Sequence, residues 1–259
     1  MSAPIVRVTS EGEGVRILTM DKPPVNALGR ELVEALATEL AELREDTGAR
    51  CLILRGAGKH FCAGADLKER RGMSLDQVRE FVPRLAAVCR AVGALPFPTI
   101  AAVAGTAAGG GCELALACDL RILADDAKIG LRETALAIIP GAGGTCRLPR
   151  IAGMAAAKRW IFTAQMYTAS EARVDGVADL VVPMDRLDDA ARELAGTIAA
   201  NGPVAVRLAK QSIEGGWDLS MDEALALEWQ CYEGVLDTSD REEALNAFAE
   251  KRAPRFSGR

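Results

Sequence analysis

Two glutamates carry most of the chemistry this chain can offer. Glu113 stands in Gly109-Gly110-Gly111-Cys112-Glu113-Leu114-Ala115-Leu116-Ala117, and Glu133 precedes Ala135-Leu136-Ala137-Ile138-Ile139-Pro140-Gly141. A carboxylate set against apolar residues is costly to ionise without partners, which makes each a candidate proton donor or acceptor. The glycine run lets backbone approach a ligand closely. As the entrance to a helix, it also leaves first-turn N–H groups free for an oxygen that gathers negative charge. Acid–base chemistry beside an oxyanion site is the combination these residues suggest. Plainer alternatives exist: a tight turn of positive φ for the glycines, a first-turn acid complementing the helix dipole for Glu113, and an exposed acid paired with Arg132 for Glu133.

A second segment, Lys59-His60-Phe61-Cys62-Ala63-Gly64-Ala65-Asp66-Leu67-Lys68-Glu69-Arg70, passes through small residues into a short predicted helix. Such a turn can offer a further free N–H at Ala65 and set Lys68 where it meets an anion. His60, the only histidine, is read as structural or exposed rather than as a base. The chain has no Gly-x-Ser-x-Gly elbow, no Gly-x-x-x-x-Gly-Lys-Ser/Thr loop and no complete Gly-x-Gly-x-x-Gly, which Gly141-Ala142-Gly143-Gly144 fails at Cys146.

The elements that must position these residues alternate. Ile5 to Val8 and Val15 to Met20 read as strands about a turn at Glu11-Gly12-Glu13-Gly14, and Arg30 to Leu43 places Leu32, Val33, Leu36, Leu40 and Leu43 at helical spacing. Cys51 to Leu54 is a buried strand. A helix with Leu75, Val78, Phe81, Val82, Leu85 and Val88 follows, then a strand at Thr99 to Val103. A helix from about Gly111 to Ala117, a strand at Leu120 to Leu123 and a loop at 140–145 opening another helix continue the alternation, which predicts an α/β core. From Asp185 the pattern is helical, broken near 201–203, 215–216 and 237–240.

The totals exclude several function classes. With 259 residues, 49% hydrophobic and 26% charged, the chain can bury a sizeable core, and disorder is confined to its ends. A net charge of −5 argues against a broad nucleic-acid footprint, which needs Lys and Arg to neutralise phosphates. Seven cysteines, odd in number and without a Cys-x-x-Cys pair, suggest neither a disulfide framework nor a zinc site, and read as small buried residues in a reducing compartment. Pro96, Pro98 and five glycines interrupt the longest uncharged stretch, so no membrane helix is predicted. Met1 to Val8 shows neither an apolar signal core nor an Arg/Ser-rich presequence, and a cytoplasmic location is expected.

Taken together, the segment Phe61 to Arg70, the run Gly109 to Asp119, and Glu133 with Ile138-Ile139-Pro140-Gly141-Ala142-Gly143-Gly144-Thr145 resemble the enoyl-CoA hydratase/isomerase, or crotonase, family. The likeness runs from Asn26-Ala27-Leu28 to Phe248-Ala249-Glu250-Lys251-Arg252, and it is three motifs in the right order that carry it.

The resemblance implies an α/β spiral of repeated β-β-α units over residues 1–190, which holds the active site. A helical C-terminal region, 191–259, would drive assembly into a homotrimer or a hexamer built as a dimer of trimers. The implied substrate is an acyl-CoA thioester, with no metal and no separate cofactor, coenzyme A being part of the substrate. By position, the backbone N–H groups of Ala65 and Gly110 match the oxyanion donors, and Glu113 and Glu133 match the paired acids of the hydratases. Val25, Ala27, Ala63, Asp66, Leu67 and Lys68 match the coenzyme A channel, and Gly109, Pro140 and Gly141 are also matched to substrate binding. Phe248 and Lys251 match residues that reach the nucleotide end, from the same or a neighbouring subunit.

The expected activity is addition of water across the C2=C3 bond of a 2-enoyl-CoA. The wording of residues 64–70 and 136–141 looks most like the 3-methylglutaconyl-CoA branch, from which Cys146 departs where glutamine is usual. A carboxylated acyl chain would need a cation, for which Arg70, Arg71, Arg79 and Arg84 are the candidates, while a short saturated tail stays open. The alternatives are a double-bond isomerase of the same family, and a non-catalytic RNA-binding or scaffold role that the acidic balance opposes.

Overall fold

Strands β1 (Val6–Glu11) and β2 (Val15–Met20) form an antiparallel hairpin in the computed structural model, which describes residues 4–259. Residues 1–3 of the Met1 to Val8 segment lie outside the described residues. Helix α1 (Arg30–Glu45) buries Leu32, Val33, Leu36, Leu40 and Leu43, the residues its 3.6-residue period picks out, each burial stabilising the fold by about 1.5–3 kcal/mol. Strand β3 (Cys51–Gly56) then runs parallel to β2. Two helices follow: α2 (Leu67–Arg71), and α3 (Leu75–Gly93), which opens on a capping box between Ser74 and Gln77. Next come β4 (Thr99–Val103), β5 (Thr106–Ala108) and α4 (Gly110–Ala117), every residue of which is buried.

The third cycle contains β6 (Leu120–Ala124), β7 (Lys128–Gly130), a 3₁₀ turn at Glu133–Leu136, and α5 (Gly144–Thr163), which is broken at Gly153. Short β8 (Tyr167–Thr168), α6 (Ala169–Val174) and β9 (Leu180–Val182) complete the sheets. Helices α7 (Leu187–Ala199), α8 (Pro203–Gly216), α9 (Met221–Leu236) and α10 (Ser239–Glu250) close the chain.

One sheet has the order β1-β2-β3-β4-β6-β9, parallel beyond the first hairpin, and a smaller one the order β5-β7-β8. Isolated parallel bridges, Leu28 to Ala65 and Cys62 to Ala107, extend the smaller sheet backward. Each cycle therefore lays a long strand in the first sheet, a short extended piece in the second, and then a helix. That is the β-β-α spiral. Cys51–Leu54 of β3 and all of β4 are buried, as expected of parallel strands inside a sheet. The short pieces β5, β7, β8 and β9 were not legible in the sequence, since two or three residues are too few to show a period.

The 190/191 boundary falls inside α7, which lays Leu187, Ala191, Ala195 and Ala199 into the core, so the helices that stand apart from it begin at α8. Helix α8 docks through polar contacts. Arg207 donates to the carbonyls of Thr47 (3.0 Å) and Ala49 (2.9 Å), and Lys210 to Asp119 (2.8 Å). All cysteines except Cys146 are buried, and burial pushes the Cys62 thiol up to about 12. Among the described residues, no helix is long and apolar enough to cross a membrane.

Candidate active site

The smaller sheet brings distant residues together by a simple device. Cys62, β5 and β7 lie side by side and parallel, so the chain leaving each one emerges at the same end. Ala65 follows Cys62, Gly110 follows β5, and Glu133 follows β7. Residues one spiral turn apart in sequence thus become neighbours at the carboxyl ends of strands, where ligands of α/β folds are commonly held.

Asn26 fixes the first of these. Its buried amide donates to the carbonyls of His60 (2.9 Å) and Phe61 (3.1 Å) and accepts from the Lys22 amide (2.9 Å). Beside it, Leu28 donates to the Gly64 carbonyl (2.8 Å) and Asp66 to the Leu28 carbonyl (3.1 Å). That bridge skips the Ala65 amide. Gly110 is the first residue of α4, whose opening N–H groups have no partner within the helix. Among the described residues, neither amide donates to another backbone group, and a side chain at Gly110 would lie 3.9 Å from the Ala65 nitrogen. Gly64 (φ +89) must be glycine, because a Cβ there would strike the Ala108 carbonyl and push the two amides apart.

Glu113 sits one helical turn beyond Gly109 and is 2% exposed. Its Oε1 accepts from the amides of Ala142 (2.7 Å) and Gly144 (2.9 Å) at the entrance to α5. Burial raises its pKa, while those amides and the nearby Arg147 guanidinium oppose the rise. It is a first-turn acid, as one reading had it, but its partners belong to another helix.

Glu133 has a different environment. Its Oε2 is buried without a hydrogen-bond partner, and burial, followed by the charge of Glu113, pushes its pKa up to about 7. The pairing with Arg132 is not made, since Arg132 donates to the Ala164 carbonyl (2.7 Å). Gly109 leaves room for this carboxyl. With φ +52, a Cβ at Gly109 would stand 2.9 Å from Glu133 Oε1. Burial raises both acids, but two amides hold Glu113 and favour its charge, whereas Glu133 keeps one oxygen without a donor and is the more prone to hold a proton.

Both acids, with Ala65 and Gly110, face a cavity of about 320 Å³. Ala63, Leu67, Gly109 and Gly141 line it too, beside apolar walls from Val82, Leu85, Leu136, Ile138 and Ile139. The remaining residues matched to the channel lie off this wall. Ala63 donates to the Val25 carbonyl (3.0 Å), which places Val25 and Ala27 behind it, and Pro140 is buried. Asp66 caps α2, accepting from the amides of Lys68 (3.1 Å) and Glu69 (3.2 Å), and Lys68 is exposed. Phe248, 86% exposed, and Lys251, which ends α10 at φ +55, do not line the cavity of their own chain. His60 also lies outside it, its Nδ1 buried and unpaired.

Sequence reasoning missed the Ala142 and Gly144 amides and Arg147, which donates to the carbonyls of Ala142 (2.9 Å) and Cys89 (3.4 Å) and so braces the loop that holds Glu113. The available signal was the loop opening a helix at 140–145, whose free amides suit an anion. Nothing local says that the anion is Glu113. Among the described residues, no group of three or more His, Cys, Asp or Glu could hold a metal ion.

Comparison with known proteins fits this geometry. Residues 10–259 match the model of the family described as enoyl-CoA hydratase/isomerase. The human protein named enoyl-CoA hydratase domain-containing protein 2, mitochondrial, is 46% identical over 253 residues, covering 95% of this chain and 87% of its own. Human methylglutaconyl-CoA hydratase, also named mitochondrial, is 44% identical over 254 residues, covering 96% and 75%. The crystal structure of an enoyl-CoA hydratase from Bacillus anthracis superposes with a TM-score of 0.97 at 46% identity, covering 98% of this chain and all of the other. With a family match over nearly its whole length and relatives this similar, the chain belongs to the enoyl-CoA hydratase/isomerase family.

Proposed function

We propose that the protein hydrates a 2-enoyl-CoA to the 3-hydroxyacyl-CoA. The observation that carries this reading is one cavity with two carboxyl groups in opposed environments beside two unpaired amides. The thioester oxygen accepts hydrogen bonds from the Ala65 and Gly110 amides. This draws electrons from the conjugated double bond and opens C3 to attack. Glu113 is the base: its amide donors favour the ionised form, which takes a proton from water as the oxygen bonds to C3. Glu133 is the acid: protonated at and below about pH 7, it delivers its proton to C2. Water is the only other reactant, and coenzyme A enters as part of the substrate.

Lys68 and Lys251 are assigned to the phosphates of coenzyme A, with Phe248 near its nucleotide end. Since neither Phe248 nor Lys251 lines its own chain's cavity, a neighbouring subunit is the source we favour. A homotrimer, single or doubled, is supported by the apolar side chains that α8 and α9 leave in solvent, among them Ile213, Trp217, Leu225 and Trp229. The small cavity supports a short acyl chain. A branched, carboxylated chain of the 3-methylglutaconyl type is the substrate class we favour, supported by the relatives named for it.

Incubation with crotonyl-CoA and with a 3-enoyl-CoA tests the reading against the isomerase alternative. Loss of the conjugated enoyl absorbance of crotonyl-CoA, with no conversion of the 3-enoyl ester, is the expected result. Conversion of the 3-enoyl ester with no hydration would overturn it.

A further inference from the structure

Of the four arginines that could meet a charged acyl chain, only Arg70 lines the cavity. Arg79 is paired with Asp76 (2.8 Å), Arg84 with Glu34 (3.5 Å), and Arg71 is exposed. Arg70 is half-buried on α2, its guanidinium 5.6 Å from the centre of the Phe81 ring. Among the described residues its side chain makes no ion pair and donates no hydrogen bond. The acids near it are committed: Asp66 caps α2, and Glu69 binds the Arg30 amide and side chain.

Nor does Arg70 serve the carboxyl pair. The charge acting on Glu133 is that of Glu113, and the cation acting on Glu113 is Arg147. The other arginine of the cavity, Arg132, spends a donor on the Ala164 carbonyl. What remains is a planar, permanently charged fork over an aromatic ring, in a cavity wall shared with Leu67, Val82 and Leu85. An apolar wall carrying a guanidinium that has neither an ion pair nor a hydrogen-bond acceptor fits a short hydrocarbon ending in a carboxylate, which arginine binds in a two-pronged manner.

We propose that Arg70 is the counter-ion for a carboxylate at the far end of the acyl chain, making the preferred substrate a coenzyme A monothioester of a short 2-enedioic acid. This rests on the hydratase reading above. The Phe81 ring, its centre 5.6 Å from the guanidinium carbon, attracts the cation and favours its position beside the cavity before the ligand arrives.

The test compares hydration of the five-carbon 2-enedioyl-CoA, its methyl ester and crotonyl-CoA by the wild-type protein, Arg70→Met and Arg70→Lys. Expected is a wild-type preference of about 10- to 100-fold in kcat/KM for the free acid over its methyl ester, the size of a charge-assisted pair. Arg70→Met loses that preference, its kcat/KM for the free acid falling by about 10- to 100-fold more than its kcat/KM for crotonyl-CoA, and Arg70→Lys keeps part of it. Equal wild-type rates on acid and ester, or proportional losses on all three substrates in both variants, overturn the assignment while leaving the hydratase intact. Weaker inhibition by free coenzyme A in Arg70→Met also overturns it, because Arg70 would then be a coenzyme A contact. Failure of the wild-type protein to hydrate any of the three defeats the hydratase reading itself.

Discussion

Replacing Glu133 by glutamine is expected to stabilise the protein in alkaline solution while slowing turnover by orders of magnitude. In the folded chain the Glu133 carboxyl titrates at about 7 against an ordinary 4.5, because it is buried and faces Glu113. A carboxyl whose folded pKa is raised does no harm below its unfolded pKa, where both states are protonated. Stability is then lost as pH rises toward about 7, since the unfolded chain ionises first. At 1.36 kcal/mol per unit this loss is about 3 kcal/mol, or nearer 2 once the water that reaches part of the side chain is allowed for.

Glutamine cannot ionise, so the variant escapes that loss. Its extra N–H groups change stability by an amount that does not vary with pH. The quantity to measure is therefore the variant's gain over wild type in urea unfolding, compared between about pH 4 and about pH 8 at one protein concentration. A difference of about 2–3 kcal/mol in favour of the variant at the higher pH is expected, with turnover reduced by about 10²- to 10⁴-fold. A gain independent of pH, or one largest in acid, would refute the raised pKa and with it the assignment of Glu133 as the acid.

Glu113→Gln removes the second cause of that rise, so the Glu133 carboxyl is expected to titrate lower but still above its ordinary range, while turnover falls by about 10²- to 10⁴-fold. Carboxyl ¹³C NMR follows the titration, and an unmoved Glu133 would separate the two acids. Gly109→Ala forces a side chain into a φ of +52 and against the Glu133 carboxyl, costing about 1–3 kcal/mol of stability and reducing kcat. Urea unfolding and steady-state kinetics together check it, and a variant normal in both would show that the close approach at Gly109 has no consequence.

The sequence by itself determined the longer strands and helices of the core and the identity of the acids. The spacing of Leu32, Leu36, Leu40 and Leu43 specifies α1 because a helix returns to the same face every 3.6 residues, and the apolar residues from Leu75 to Val88 specify α3 in the same way. Glu113 and Glu133 stood out because each borders an apolar run, and Gly109 to Gly111 because bare backbone is itself a local signal. Everything that relates one spiral turn to the next was decided by tertiary structure. The strands β5, β7 and β8 are too short to announce themselves, yet their register sets Ala65, Gly110 and Glu133 side by side. The difference between the two acids is likewise non-local: the donors on Glu113 come from about 30 residues downstream, and Glu133 is raised by burial and by a neighbour on another element. Among four arginines of identical chemistry, only packing decided that Arg70 faces the cavity, since a side chain's charge is local but its desolvation and its partners belong to the whole fold.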